Sequence, residues 1–153
     1  PVETVDREIR QLVDDLFETM YAAPGIGLSA VQVGIPKQVI VIDLRRDEKP
    51  EPLALINPTI QVCSVETAEL EEGCLSFPTH YAVLRRPSAI ELRYTDRSGN
   101  QETLAAEGAL ATCIQHEMDH LSGVLFVDHL SRIKRDIILR KLVKTRKLAA
   151  AAE

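Results

Sequence analysis

The run His116-Glu117-Met118-Asp119-His120 constrains this chain more than any other feature. It lies inside residues 107–122, where Leu110, Cys113, Ile114 and Leu121 predict a helix and Gly123 its stop. Four residues are about 6 Å of helical rise and little more than one turn. Both imidazoles therefore project from one face and can share an ion, with Glu117 beside them to act on water held there. The plainer reading is that two histidines merely cap or pack a helix. If the first reading holds, the rest of the chain has to fold around this segment.

The flanking sequence supplies the means. Val5, Ile9, Leu12, Val13, Leu16, Phe17 and Met20 form one apolar stripe, predicting a helix over 4–21 capped by Thr4 or Asp6. Pro24-Gly25-Ile26-Gly27 ends it. Short strands are expected over 38–44, 53–56, 59–65, 82–85 and 89–94, with Asn57-Pro58 separating the second from the third. The turn Asp96-Arg97-Ser98-Gly99-Asn100 should pair 101–106 back onto the preceding strand. A last helix over 131–148 carries Ile133, Ile137, Ile138, Leu142 and Val143 on one side and basic residues on the other. The expected class is α+β, with short antiparallel strands packed around a central metal-binding helix, an N-terminal helix and a C-terminal basic helix. At 153 residues, 45% hydrophobic and 27% charged, the chain is long and apolar enough to fold as one domain over 1–153.

Two histidines rarely complete a metal site, since a catalytic ion wants three protein ligands and one water. A metzincin would place a histidine at 126, where this chain has Phe126, and no glutamate follows Glu117 before Glu153. The third ligand should therefore lie upstream, among Cys63, Cys74, Cys113, His80, Glu69, Glu71 and Glu72. Cys113 shares the histidine face, but it is about 10.5 Å of rise from position 120, which suits a core residue better. Cys63 sits in a strand-like run and reads as core, and His80 as a solvated turn residue. Cys74 follows Gly73 in the irregular-looking Glu71–Pro78 stretch, where the glycine gives the backbone freedom to aim a thiolate inward; an ordinary buried cysteine is the alternative. Upstream, Gly25-Ile26-Gly27-Leu28-Ser29-Ala30-Val31-Gln32 lacks the third glycine and the strand–helix setting of a dinucleotide site. It reads as a close-approach loop ending in Gln32, whose amide can donate to an oxyanion or can be a plain polar loop residue.

Charge and cysteine content bound the setting. Eight Lys and Arg against two acids give residues 131–153 a net +6, leaving −11 over 1–130 of a total −5. Such a body repels polyanions while its tail attracts them locally. No apolar run approaches the roughly 18 residues of a membrane span. Three cysteines in a chain that needs no bridges point to a reducing compartment.

Taken in order, Gly25–Gln32, Glu72–Ser76 and His116–His120 resemble the three motifs of peptide deformylase, G-x-G-x-A-A-x-Q, E-G-C-x-S and H-E-x-x-H, and the resemblance extends over essentially the whole chain. Ser29 departs from it, standing where the family usually has alanine, and its hydroxyl then needs a partner. Members of that family also carry a short segment ahead of the position of Pro1, and lower stability rather than lost chemistry is expected without it.

The resemblance implies that Cys74, His116 and His120 hold one divalent metal ion. Iron(II) is the first expectation, with zinc, nickel or cobalt able to replace it in preparations. It implies Glu117 as general base, and Gln32 with the backbone N–H of Leu75 as oxyanion donors. It places Glu72 against Arg86, bracing the cysteine loop, and gives Ile26, Gly27, Ala109, Thr112 and Cys113 to the substrate, whose methionine side chain they line. The implied substrate is the N-formylmethionyl end of a nascent chain, bound extended along a strand edge, and the products are formate and a free amino terminus. A further implied partner is the ribosome near the exit tunnel, met through the basic C-terminal helix; a solvated helix face is the plainer origin of those charges. The implied location is the bacterial cytoplasm, or an organelle if a transit peptide has been removed. Two competing readings use the same helix: an endopeptidase, against which the missing downstream ligand argues, and a non-catalytic metal-binding domain, which leaves Glu117 without a task.

Overall fold

The computed structural model describes residues 1–74, 77–123, 132 and 137–140, without the side chains of 47, 71, 73, 74 and 77–82. The predicted N-terminal helix is α1, Arg7–Ala22, and Asp6 caps it by accepting the Ile9 N–H at 3.0 Å. Among the described residues seven strands follow: β1 Gly27–Ser29, β2 Val39–Ile42, β3 Leu53–Cys63, β4 Thr67–Cys74, β5 Phe77–Pro87, β6 Ala89–Thr95 and β7 Gln101–Glu107. Helix α2, Gly108–Leu121, carries the histidine pair.

The order β1-β2-β3-β6-β7 makes one antiparallel sheet, and β4 with β5 makes a separate hairpin. Strand β2 explains the layering. All four of its residues are buried because successive side chains enter different cores. Val39 and Val41 pack with Ile9, Leu12, Val13, Leu16 and Met20 of α1. Ile40 and Ile42 pack with Ala111, Cys113 and Ile114 of α2. The sheet thus lies between the two helices. The β4–β5 hairpin meets α2 as well: Gln115 Nε2 donates to the Pro87 carbonyl at 3.0 Å. Residues 111–117 are buried without interruption for that reason, and α2 has no broad polar face.

Several expectations change. The strands expected over 53–56 and 59–65 are a single strand, β3. Asn57, at φ 51°, absorbs the irregularity where the register slips between Ile56 and Thr59, and asparagine tolerates that backbone region better than most residues. Its side chain also brackets Val2, accepting the Val2 N–H at 2.8 Å and donating to the Val2 carbonyl at 2.6 Å. Cys63, expected in the core, is exposed at the end of β3. The stretch expected to be irregular around 71–78 is strand on both sides of 75–76, and the strand expected over 82–85 begins at Phe77. The C-terminal helix expected over 131–148 falls, apart from Arg132 and residues 137–140, outside the described residues.

A buried carboxylate fastens α1 to the loop after β2. Asp43, 1% exposed, accepts the Tyr21 hydroxyl at 2.6 Å and the N–H groups of Arg45 and Glu51 at 3.0 and 2.9 Å. The Arg45 guanidinium lies 4.4 Å from the Tyr21 ring centroid. Burial alone pushes the Asp43 carboxyl up, but Tyr21, the two amides and Arg45 outweigh it and hold it below the usual 3.8. A depressed carboxyl stabilises the fold above the unfolded-state value, and that contribution drains as pH falls through the folded-state value. Tyr21→Phe should cost about 1.5 kcal/mol at pH 7 and move acid unfolding to higher pH, as read from urea melts at pH 7 and 4. An unshifted acid midpoint would remove Asp43 from the account.

Candidate active site

The His116 and His120 side chains leave the same face of α2, and their Nε2 atoms stand 3.2 Å apart. Their rings meet edge to face with centroids 4.9 Å apart. Adding a carboxylate oxygen of Glu117 gives three ligand atoms within 4.8 Å of one another, all on buried residues. His116 is held from behind by Glu72, whose Oε1 lies 3.0 Å from Nδ1. An ionised carboxylate can only accept, so Nδ1 carries the proton and a neutral His116 presents a lone pair at Nε2.

Glu72 reaches α2 from β4 and is itself gripped by Arg86 of β5, through Nε to Oε2 at 2.7 Å and Nη2 to Oε1 at 2.9 Å. The third arm of the same guanidinium, Nη1, donates to Asp119 Oδ2 at 2.8 Å. Burial pushes the Glu72 carboxyl up, but the His116 and Arg86 hydrogen bonds and the Arg86 charge win and hold it below the usual carboxylate range. Burial lowers Arg86, and its two carboxylate partners raise it by more. The Glu72–Arg86 pairing implied by the resemblance is therefore present. Asp119 was not anticipated. It sits at a variable position of H-E-x-x-H, three residues after His116, and only the hairpin's approach shows what it faces.

Strand β1 passes close to α2 from the other side. A Cβ on Gly27 would stand 2.9 Å from Glu117 Oε1 and 3.0 Å from Cys113 Sγ, so the backbone comes as near to this helix as only glycine allows. Cys113 is buried, and burial first, then the charges of Glu117 and Glu72, push its thiol well up. Gln32 follows in the 3-10 turn Ala30–Val33, against which α2 also packs. Its Oε1 accepts the Ser29 N–H at 3.0 Å and the Ser29 hydroxyl at 3.1 Å. Of the residues expected to line a substrate pocket, Thr112 and Cys113 are buried on α2, Ala109 is exposed in its first turn, and Ile26 is 53% exposed beside Gly27. The backbone of Cys74 ends β4, two residues beyond Glu72, while Leu75 lies outside the described residues.

Comparison with known proteins decides what this arrangement belongs to. The family model for polypeptide deformylase matches residues 1–136. The chain belongs to the polypeptide deformylase family. It is a metal-dependent hydrolase that removes the N-formyl group from nascent peptides. The deformylase of Rhizobium meliloti is 51% identical over 152 residues, covering 99% of this chain and 87% of that protein. That of Phenylobacterium zucineum is 55% identical over 150 residues, covering 97% and 89%. The crystal structure of peptide deformylase from Ehrlichia chaffeensis superposes with a TM-score of 0.92 at 43% identity, over 97% of this chain and 89% of that one.

The donor set of this deformylase fits a divalent ion. Two nitrogens on one tetrahedral ion at its usual bond lengths sit about 3.3 Å apart, and the two Nε2 atoms are already spaced at 3.2 Å. Among the described residues no helix is long and apolar enough to cross a membrane.

Proposed function

We propose that deformylation in this chain, acting as one domain over 1–153, is divided among the following residues. His116 and His120 hold the ion, with Cys74 as third ligand. Two observations support the choice of sulfur: Cys74 ends the strand whose Glu72 grips His116, and Cys63 is exposed on a different strand. A divalent ion held there would lower the pKa of water far enough for hydroxide to form near neutral pH and would polarise the formyl carbonyl. Iron(II) suits one thiolate with two imidazoles, as do zinc, nickel and cobalt.

The chain's own groups do the rest. Glu117 takes a proton from the attacking water and later delivers it to the leaving nitrogen. The water oxygen bonds to the formyl carbon, the C–N bond breaks, and formate leaves beside a free amino terminus. Gln32 Nε2 and the Leu75 N–H donate to the oxygen on which negative charge develops. Ile26, Gly27, Ala109, Thr112 and Cys113 receive the methionine side chain. Glu72, fixed by Arg86, keeps His116 in the tautomer that ligates. The observation that carries this reading is the spacing of the two Nε2 atoms with Glu117 beside them.

On this reading the protein works where translation supplies formylated chains, in the bacterial cytoplasm or in an organelle, and the +6 tail would dock on the ribosome near the exit tunnel through RNA phosphates. The reading is tested by metal analysis of anaerobically purified protein together with formate release from formyl-Met, acetyl-Met and internal peptides. Iron near one equivalent with formyl-specific turnover supports it; cleavage of internal bonds alone refutes it. Docking is tested by ribosome pelleting in low and high salt with and without residues 131–153, and unchanged association after truncation ends that part.

Gly27 provides a sharper probe. Alanine there forces something to move, and the nearest atom is the far end of Glu117. The stability cost should be small, about 1 kcal/mol. The base is the group displaced, so turnover should fall about 100-fold. Formate release and a thermal melt of Gly27→Ala read both; wild-type turnover would separate Gly27 from the chemistry.

A further inference from the structure

Ser29 is fully buried, and its hydroxyl donates to Gln32 Oε1 at 3.1 Å. We propose that Ser29 is a positioning residue for deformylation, its hydroxyl fastening the Gln32 amide so that the donor end faces away from Ser29. The proposal rests on the reading of Gln32 as an oxyanion donor.

The two ends of a carboxamide have nearly the same shape, and a half-turn of the last torsion exchanges a donor for an acceptor. An acceptor aimed at a developing oxyanion would repel it, so the rate depends on which end is held where. In this chain the oxygen end is claimed twice by a single residue, by the Ser29 N–H at 3.0 Å and by its hydroxyl at 3.1 Å. The amide N–H selects the orientation, because a flipped carboxamide would set donor against donor. The hydroxyl supplies the second point of attachment, and two points stop the group from swinging about one. The 3-10 turn Ala30–Val33 makes this geometry available: Ser29 is its N-cap and Gln32 its third residue, the reciprocal arrangement of a capping box. The glutamine in that box serves as acceptor toward Ser29, which leaves Nε2 as the end away from Ser29.

Ser29 also marks the departure of this chain from the G-x-G-x-A-A-x-Q pattern, so Ser29→Ala introduces the residue the pattern itself carries and should fold. The experiment is a double-mutant cycle of wild type, Ser29→Ala, Gln32→Ala and the double variant. It follows formate release from a formyl-Met peptide, with thermal melts and the Gln32 side-chain NH2 resonances of 15N-labelled protein as readouts independent of turnover. Ser29→Ala should lower kcat about tenfold with KM within about twofold, shift the Gln32 NH2 pair, and add nothing when Gln32 is already alanine. An equal penalty in both backgrounds means Ser29 acts only on stability and overturns the proposal. Wild-type kcat in Ser29→Ala, with a large loss in Gln32→Ala, overturns it and leaves the Gln32 reading standing. Full activity of Gln32→Ala removes that reading and the proposal together.

Discussion

Glu117→Gln should lower turnover by about 10²–10⁴-fold while leaving the melting temperature and the bound metal nearly unchanged. The substitution keeps the shape of a side chain on a residue only 4% exposed, so neither the β1 backbone at Gly27 nor Cys113 needs to move. It removes the ability to take a proton from water, and no other carboxylate on α2 can substitute. Asp119 points to Arg86, and Glu72, from β4, is held by Arg86 and His116. Glu117→Asp retains the base but withdraws it by one methylene, and its turnover should lie between the two. The measurement is kcat for formate release at matched metal content. Retention of more than a tenth of wild-type turnover in Glu117→Gln would assign proton transfer elsewhere.

The parts of this fold that were legible in the sequence are those in which one segment carries its own signal. The stripe Ile9, Leu12, Val13, Leu16 and Met20 announced α1 because a helix on a sheet buries one face. The unbroken Val39–Ile42 run announced a strand but not its reason, which is that α1 and α2 cover opposite faces of it. Strand β4 was missed because Thr67–Cys74 is rich in acids and ends in Gly-Cys, which reads as loop; its partner β5, and not its own apolarity, makes it a strand. The site divides in the same way. The two histidines and Glu117 share one helix, and helical period alone groups them. Glu72 stands 44 residues from His116, and its pairing with Arg86 was available only through resemblance. Asp119 carries no local signal for what it touches, since its partner is set by how the hairpin meets α2, whereas Ser29-x-x-Gln32 has the spacing of a capping box and points to its partner once the 3-10 turn after β1 is known.

Arg86→Met should destabilise the protein by about 3–5 kcal/mol, the usual cost of removing one partner from a buried ion pair. For a chain of this length that is a fall in Tm of roughly 10 °C. Arg86 is 7% exposed and Glu72 5%, so little solvent reaches the carboxylate left behind. Three bonds are lost together, two to Glu72 and one to Asp119, and two like charges remain facing the vacated space. Arg86→Lys retains the charge but lacks the planar fork needed to reach both carboxylates, so it should recover only part of the loss. Pairing Arg86→Met with Glu72→Gln removes the unmatched charge, and the double variant should be more stable than Arg86→Met alone. Stability and chemistry then separate. With Glu72 released or neutralised, His116 loses the fixed, charged acceptor behind its ring, and metal affinity should drop about 10–100-fold even in the more stable double variant. Calorimetry and metal titration on the four proteins measure the two effects independently. A Tm for Arg86→Met within a few degrees of wild type would mean that the interior around Glu72 tolerates a lone charge, and the bracing role given to this pair would have to be withdrawn.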